Sequence, residues 1–374
     1  MQDDSGVSMN VESLLKEMVL RNASDLHLRV GGQPAFRING ELYRLQDQRV
    51  APEQMEQFIL DLMDRNQKTS FDENHELDFA IGIRNIGRFR VNAYKQRGTP
   101  ALAIRAIVGV VPAFEQLGLP EVIRDLSLRK RGLILVTGTT GSGKSTTLAS
   151  MIDHINEHTS SNIVTIEDPI EFLYKDKKSI ISQREVSSDT AGFTTALRSA
   201  FRQDPDVILV GEIRDQETMS IALTAADTGH LVLSTLHTMN AIETVNRIIS
   251  FFPPHQHQQV RLMLSSTLVA IITLRLLARK DGRGRAPACE ILVNNATIRE
   301  LLTQPENTHM IDASIREGYT QYGSQSFDQS ILRLYQDELI SYETALRAAS
   351  NPDDFELKVR GVEGTSDRSW MLGV

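Results

Sequence analysis

Between Gly138 and Ser145 the chain reads Gly138-Thr139-Thr140-Gly141-Ser142-Gly143-Lys144-Ser145. The apolar run Gly132-Leu133-Ile134-Leu135-Val136-Thr137 leads into it, and Thr146-Thr147-Leu148-Ala149-Ser150-Met151-Ile152 can continue behind it as a helix. Strand, glycine-rich loop and helix in that order are the context a phosphate-binding loop requires. Glycines let successive backbone N–H groups turn inward around phosphate oxygens. The helix N-terminus adds a positive partial charge at the same place. In this pattern Lys144 reaches the β- and γ-phosphates and the Ser145 hydroxyl can ligate Mg²⁺, with Thr146 opening the helix. The stretch predicts a site for a nucleoside triphosphate.

Outward from the loop, short apolar runs at 133–137, 163–166, 207–210 and 231–236 alternate with helical stretches. That is the α/β signature of a parallel sheet covered by helices, whose ligands bind beyond the carboxyl ends of the strands. Residues 255–270 and 327–348 read as helical. The first hundred residues differ. Val11, Leu14, Leu15, Met18 and Val19 fall at helical spacing, and Leu26, Leu28 and Val30 alternate with polar residues as in a half-buried strand. Asn39-Gly40 is a hairpin signal, Pro52 to Asp64 reads as a helix, and Phe79–Ile83 and Arg88–Gln96 read as strands. The expected organisation is a polar, disordered start (1–9), a small α+β domain (10–109), a linker (110–118) around Pro112, an ATPase domain (119–350) and a loose C-terminal tail (351–374).

A chain of 374 residues with 41% hydrophobic and 24% charged residues has ample material for large cores. Its net charge of −8 argues against a general nucleic-acid coat, so no nucleic-acid partner is expected. One cysteine, Cys289, can make neither an internal disulfide nor a four-cysteine zinc site. No apolar run approaches a membrane span of roughly 20 residues. The acidic, polar start Met1-Gln2-Asp3-Asp4 is not a signal peptide. A cytoplasmic location is expected.

Hydrolysis of a triphosphate needs a carboxylate near the metal and one that orients or deprotonates water. Two acidic clusters follow apolar strands: Glu167, Asp168 and Glu171 after Ile163-Val164-Thr165-Ile166, and Glu212 after Val207-Ile208-Leu209-Val210-Gly211. Two histidines bracket the next strand, His230 before Leu231 and His237 after Leu236. An imidazole at the carboxyl end could sense the γ-phosphate. A basic block without acids contains Arg84, Arg88, Arg90, Lys95, Arg97 and Arg105, and strand alternation puts Arg88, Arg90 and Asn92 on one face. These arginines could serve a nucleotide held by another subunit, contact nucleic acid, or form a solvated face.

The combination resembles the type IV pilus retraction ATPases (PilT/PilU type) of the type II/IV secretion ATPase superfamily. The likeness runs from Ala23-Ser24-Asp25-Leu26-His27-Leu28 to about Ala348. It rests on Gly87-Arg88-Phe89-Arg90-Val91-Asn92-Ala93, on Thr165 to Glu171 as the Asp box, and on Gly211-Glu212-Ile213-Arg214-Asp215 as an atypical Walker B segment. Thr228-Gly229-His230 with Leu236-His237-Thr238 resembles the His box, and Gln183-Arg184-Glu185-Val186 also fits. The resemblance implies a PAS-like small domain joined to a RecA-like P-loop ATPase domain. It also implies a homo-hexamer using ATP and Mg²⁺, docked on an inner-membrane pilus platform protein, with a paralogous retraction ATPase as a possible partner. By position it implies Glu171 as general base, Glu212 and Ser145 at the metal, Glu167 and Asp168 near the nucleotide, and His230 and His237 beside it. Arg88, Arg90, Arg97 and Arg105 become candidates for charge compensation in trans. Extension and secretion motors of the superfamily, the nearest alternative, are longer and usually carry a tetracysteine zinc site. The alternative from another class is a RecA-like nucleic-acid motor.

Overall fold

The computed structural model describes residues 9–38, 40–45, 49–107 and 111–361. The chain divides into two compact units, which are taken in turn. The first comprises Met1–Val110 together with Pro169–Leu173. It contains α1 (Val11–Leu20), β1 (Asp25–Arg29), β2 (Ala35–Ile38), β3 (Glu41–Arg44), α2 (Pro52–Leu62), α3 (Arg65–Asn74), β4 (Glu76–Ile83), β5 (Gly87–Gln96) and β6 (Thr99–Ile107). The strands form an antiparallel sheet in the order β3-β2-β1-β6-β5-β4. Asn10 caps α1 by accepting from the Ser13 N–H, and Val11, Leu14, Leu15 and Met18 are buried with Leu26, Phe36, Phe58 and Phe89. Val19 is 41% exposed, because at 100° per residue it sits at the margin of that stripe.

Two tight turns set the register of this sheet. Ile38 pairs with Glu41, and Gly40 has φ +88°; Asn39, the other residue of the expected hairpin signal, lies outside the described residues. Gln96 pairs with Thr99 across Arg97 (φ +49°) and Gly98 (φ +77°), the left-handed pair that a two-residue hairpin needs. Sequence patterning missed β6, whose run Thr99–Ile107 is interrupted by Pro100 and Arg105.

The second unit comprises Val111–Asp168 and Tyr174–Val374. Its elements are α4 (Phe114–Leu117), α5 (Glu121–Ser127), β7 (Gly132–Thr137), α6 (Lys144–His158), β8 (Asn162–Glu167), β9 (Ile180–Glu185), α7 (Phe193–Ala200), β10 (Val207–Val210), α8 (Gln216–Asp227), β11 (Leu231–Leu236) and α9 (Ala241–Ser250). They continue with α10 (His257–Thr267), β12 (Leu268–Ala278), β13 (Arg285–Val293), α11 (Ala296–Thr303), α12 (Ile311–Glu317), α13 (Tyr319–Tyr322), α14 (Phe327–Gln336), α15 (Tyr342–Ala348) and α16 (Pro352–Val359). The sheet order is β13-β12-β7-β11-β10-β8-β9; only the β12–β13 pair is antiparallel among the described strands.

All six residues of β7 and of β11 are buried, which is why they read as continuous apolar runs. Leu133, Leu135, Ile208 and Val232 pack on one face with α8 and α9; Ile134, Val136, Leu209 and Leu233 pack on the other with Leu148, Met151 and Ile152 of α6. The sheet is thus covered on both sides.

Several expectations are corrected. Residues 255–270 are not one helix: α10 ends at Thr267, and Leu268 begins β12, whose β-branched and leucine-rich run joins the sheet next to β7. Residues 327–348 form two helices, because Glu338 takes φ +55° between them. The segment after Asn351, expected as a loose tail, forms α16, with Asn351 as N-cap, Pro352 in the first turn and Phe355 buried; residues 362–374, including Trp370, lie outside the described residues. Within the expected linker 110–118, α4 forms and Phe114 is buried; Val110 and the expected disordered residues 1–8 lie outside the described residues.

Candidate active site

Four neighbouring parallel strands, β7, β11, β10 and β8, end on the same side. From their carboxyl ends emerge the glycine-rich loop, His237, Gly211-Glu212 and Glu167-Asp168. The loop needs its glycines. Gly138, Gly141 and Gly143 have φ of +135°, +78° and +97°. A Cβ on Gly138 would lie 2.6 Å from the Leu274 carbonyl oxygen and from Ser142 Oγ, so any side chain there would push the loop off β12. Lys144 is 9% exposed, and its Nζ donates to the carbonyls of Gly138 (2.9 Å) and Thr139 (3.1 Å). The cation is held inside the cradle, where a phosphate could take the place of those carbonyls.

Lys144 Nζ also stands 3.5 Å from His237 Nδ1, and His237 Nε2 stands 3.3 Å from Glu212 Oε1. A neutral imidazole protonated on Nε2 serves both contacts, facing the ammonium with its lone pair and donating to the carboxylate. Glu212 is engaged on its other oxygen by Arg214 Nη2 (2.7 Å), and this bond raises the Arg214 guanidinium above its ordinary value. Asp168 adds to that rise from the end of β8. Glu167 is buried and accepts from Thr165 Oγ1 (2.7 Å) and Gln183 Nε2 (3.3 Å). Lys144, His237 and Glu212, far apart in sequence, therefore meet at one point. Ser145 and Thr146, on the first turn of α6, are partly exposed beside it. The oxygen donors Ser145 and Glu212 suit a hard cation such as Mg²⁺.

Other sequence-predicted residues lie elsewhere. His230 precedes β11 while His237 follows it, so the two sit at opposite ends of a six-residue strand, about 23 Å apart at 3.3 Å per residue. His230 contacts the Ala225 carbonyl (3.0 Å) and packs edge-on to Phe201, a structural setting away from the phosphate loop of its own chain. Glu171 is exposed and belongs to Pro169–Leu173, which groups with the first unit.

In the first unit, cross-strand register lines up Arg37, Asp25, Arg105 and Arg90 on β2, β1, β6 and β5. Arg105 Nε bonds Asp25 Oδ1 at 2.8 Å, and Arg37 stands 4.0 Å from the same carboxylate. Burial alone would raise Asp25, but the Ser24 hydroxyl and Arg105 together hold it below the ordinary carboxylate value. Arg90 stands 3.8 Å from Asp78, a contact the acid-free stretch after Asp78 did not suggest. Arg88 shares the face of Arg90, and Arg97 is exposed at its turn.

The amino-acid sequence matches the family described as "Type II/IV secretion system protein" over residues 1–336. The chain belongs to that family. It is 41% identical over 360 residues to the type IV pilus ATPase PilU of Pseudomonas aeruginosa, covering 96% of this chain and 94% of the relative. It is 43% identical over 347 residues to the type IV pilus retraction ATPase PilT of the same organism, covering 93% and 100%. A crystal structure of the pilus retraction motor PilT with bound ADP superposes with a TM-score of 0.86 at 46% identity, over 93% of this chain and 99% of that one. This secretion-family chain is a type IV pilus ATPase of the PilT/PilU kind, with a RecA-like nucleotide-binding unit that follows a small α+β unit. Among the described residues no helix is long and apolar enough to cross a membrane.

Proposed function

We propose that the chain is the ATP-hydrolysing motor of type IV pilus retraction, working as a homo-hexamer on the cytoplasmic side of the inner membrane and docked on a pilus platform protein. The observation that carries this reading is the meeting of Lys144, His237 and Glu212 at the phosphate loop, in a chain alike over nearly its whole length to PilT. The loop N–H groups and Lys144 bind the phosphates of ATP. Ser145 and Glu212 would hold Mg²⁺, which when bound would neutralise charge on the nucleotide phosphates. His237, lying between Lys144 and Glu212, registers whether a γ-phosphate is present. Glu171 takes the proton of the attacking water, and Glu167 and Asp168 border the nucleotide. Arg88, Arg90, Arg97 and Arg105 offer positive charge to a nucleotide held by a neighbouring subunit.

Deleting the gene and counting surface pili tests the assignment. Loss of a retraction motor leaves pili in place and abolishes twitching; loss of an extension motor removes them. A second reading, an accessory retraction motor working with a paralogue, is favoured by the match to PilU reaching 96% of this chain, where the match to PilT spans all of that relative and 93% of this chain. Under that reading the deletion leaves retraction measurable but weakened.

A further inference from the structure

Glu290 is a buried carboxylate, 7% exposed, with no part in the chemistry described above. It lies on β13, level with the end of the phosphate-loop strand. Glu290 pairs with Thr273, Thr273 with Thr137, and Thr137 with Leu236. Thr137 directly precedes Gly138, and Leu236 directly precedes His237. The Thr137 hydroxyl donates to Thr273 Oγ1 at 2.9 Å, so the row is bonded as well as aligned.

From this row Glu290 reaches the first residue of α9. The Ala241 N–H donates to Glu290 Oε1 at 2.6 Å. Only Thr238, Met239 and Asn240 separate Ala241 from His237. Those three are bonded to α9 itself: Thr238 Oγ1 to Thr244 Oγ1 (2.7 Å), the Met239 N–H to Glu243 Oε2 (2.8 Å), and Asn240 Oδ1 from the Glu243 N–H (2.7 Å). Turn and helix therefore move as one piece, and the Glu290 bond ties that piece to the sheet.

We infer that Glu290 is a positioning residue for the nucleotide site, seating α9 and its leading turn so that His237 stands between Lys144 and Glu212. The inference rests on the ATPase reading. A packing role alone does not call for a carboxylate here, since burying one is costly. Burial pushes Glu290 up to about 7, with Asp312 of α12 and Asp328 of α14 acting the same way against the Ala241 bond and Arg275 of β12.

The test is steady-state ATPase activity of the full chain, normalised to bound nucleotide, for Glu290→Ala, Glu290→Gln and Ala241→Pro, each made with and without His237→Ala. Ala241→Pro removes the donor at the first helical position, where proline fits, and Asn240 before it is already extended (φ −161°, ψ 171°). Glu290→Ala and Ala241→Pro are expected to lower kcat about tenfold, while Glu290→Gln, whose amide oxygen still accepts, stays within about twofold. In the His237→Ala background neither should cost anything further. A wild-type kcat in Glu290→Ala overturns the inference, as does an equal fold-loss with and without His237. If Glu290→Ala does not fold, Ala241→Pro decides by the same criteria. A wild-type chain that hydrolyses no ATP would instead overturn the ATPase reading.

Discussion

Glu290→Gln should change how stability depends on pH. In the folded chain burial raises Glu290 from 4.5 to about 7. A raised carboxyl value means that the folded state prefers the protonated acid. Its stabilising effect is complete below pH 4.5 and is lost as pH rises through about 7. A difference of about 2.5 at 1.36 kcal/mol each amounts to about 3 kcal/mol. Because the side chain is 7% exposed, solvent screening removes little of it. An amide does not titrate, so the variant lacks this slope. Thermal unfolding of nucleotide-free wild type and variant, at one protein concentration, should therefore diverge between pH 5 and pH 8. The variant should gain on the wild type by several degrees, at about 2–4 °C per kcal/mol. Parallel melting curves across that range would refute the reasoning.

Lys144→Ala should abolish ATP hydrolysis with little change in melting temperature, because the lysine neutralises phosphate and its partners in the folded chain are loop carbonyls; purified variant hydrolysing at the wild-type rate would reject the loop assignment. Glu171→Gln should bind Mg·ATP yet turn it over about 10²–10⁴-fold more slowly, measured by nucleotide binding beside single-turnover hydrolysis. Near-normal turnover would move the base role to Glu212 or Glu167. Arg88→Ala and Arg90→Ala should each lower hydrolysis, and mixing either with Lys144→Ala protein should restore part of it if the arginines act in trans. An active wild-type monomer by light scattering in ATP would exclude the shared site. Arg105→Ala should lower stability too, since it strips the 2.8 Å partner from Asp25, while Arg90→Ala loses only a 3.8 Å exposed contact.

The parts of the site legible in the sequence were those written as local patterns. The loop Gly138–Ser145 between an apolar run and a helix needs no tertiary information, and the four parallel strands stand close to where hydrophobicity put them. Strand direction already singles out His237, at the carboxyl end of β11, while the family resemblance puts both histidines beside the nucleotide. The structure sets His237 at the loop and His230 at the opposite edge, on the Ala225 carbonyl and Phe201. The acid-free basic stretch also hid two acidic partners, because strand pairing across the sheet supplies Asp25 to Arg105 and Asp78 to Arg90.

What the amino-acid sequence determines alone is what depends on neighbours a few residues apart: the chemistry of the phosphate loop and the burial of the strands beside it. Tertiary structure decides what depends on register between strands distant along the chain. It turns Leu268–Ala278, read in part as helix, into the strand beside β7. It brings Lys144, Glu212 and His237 within 3.5 Å of one another in turn. It also sets Glu290 on the Ala241 N–H, 49 residues away, and buries the carboxylate there. Neither partner signals the other in the sequence, because a single backbone N–H carries no residue identity and a lone glutamate carries no spacing.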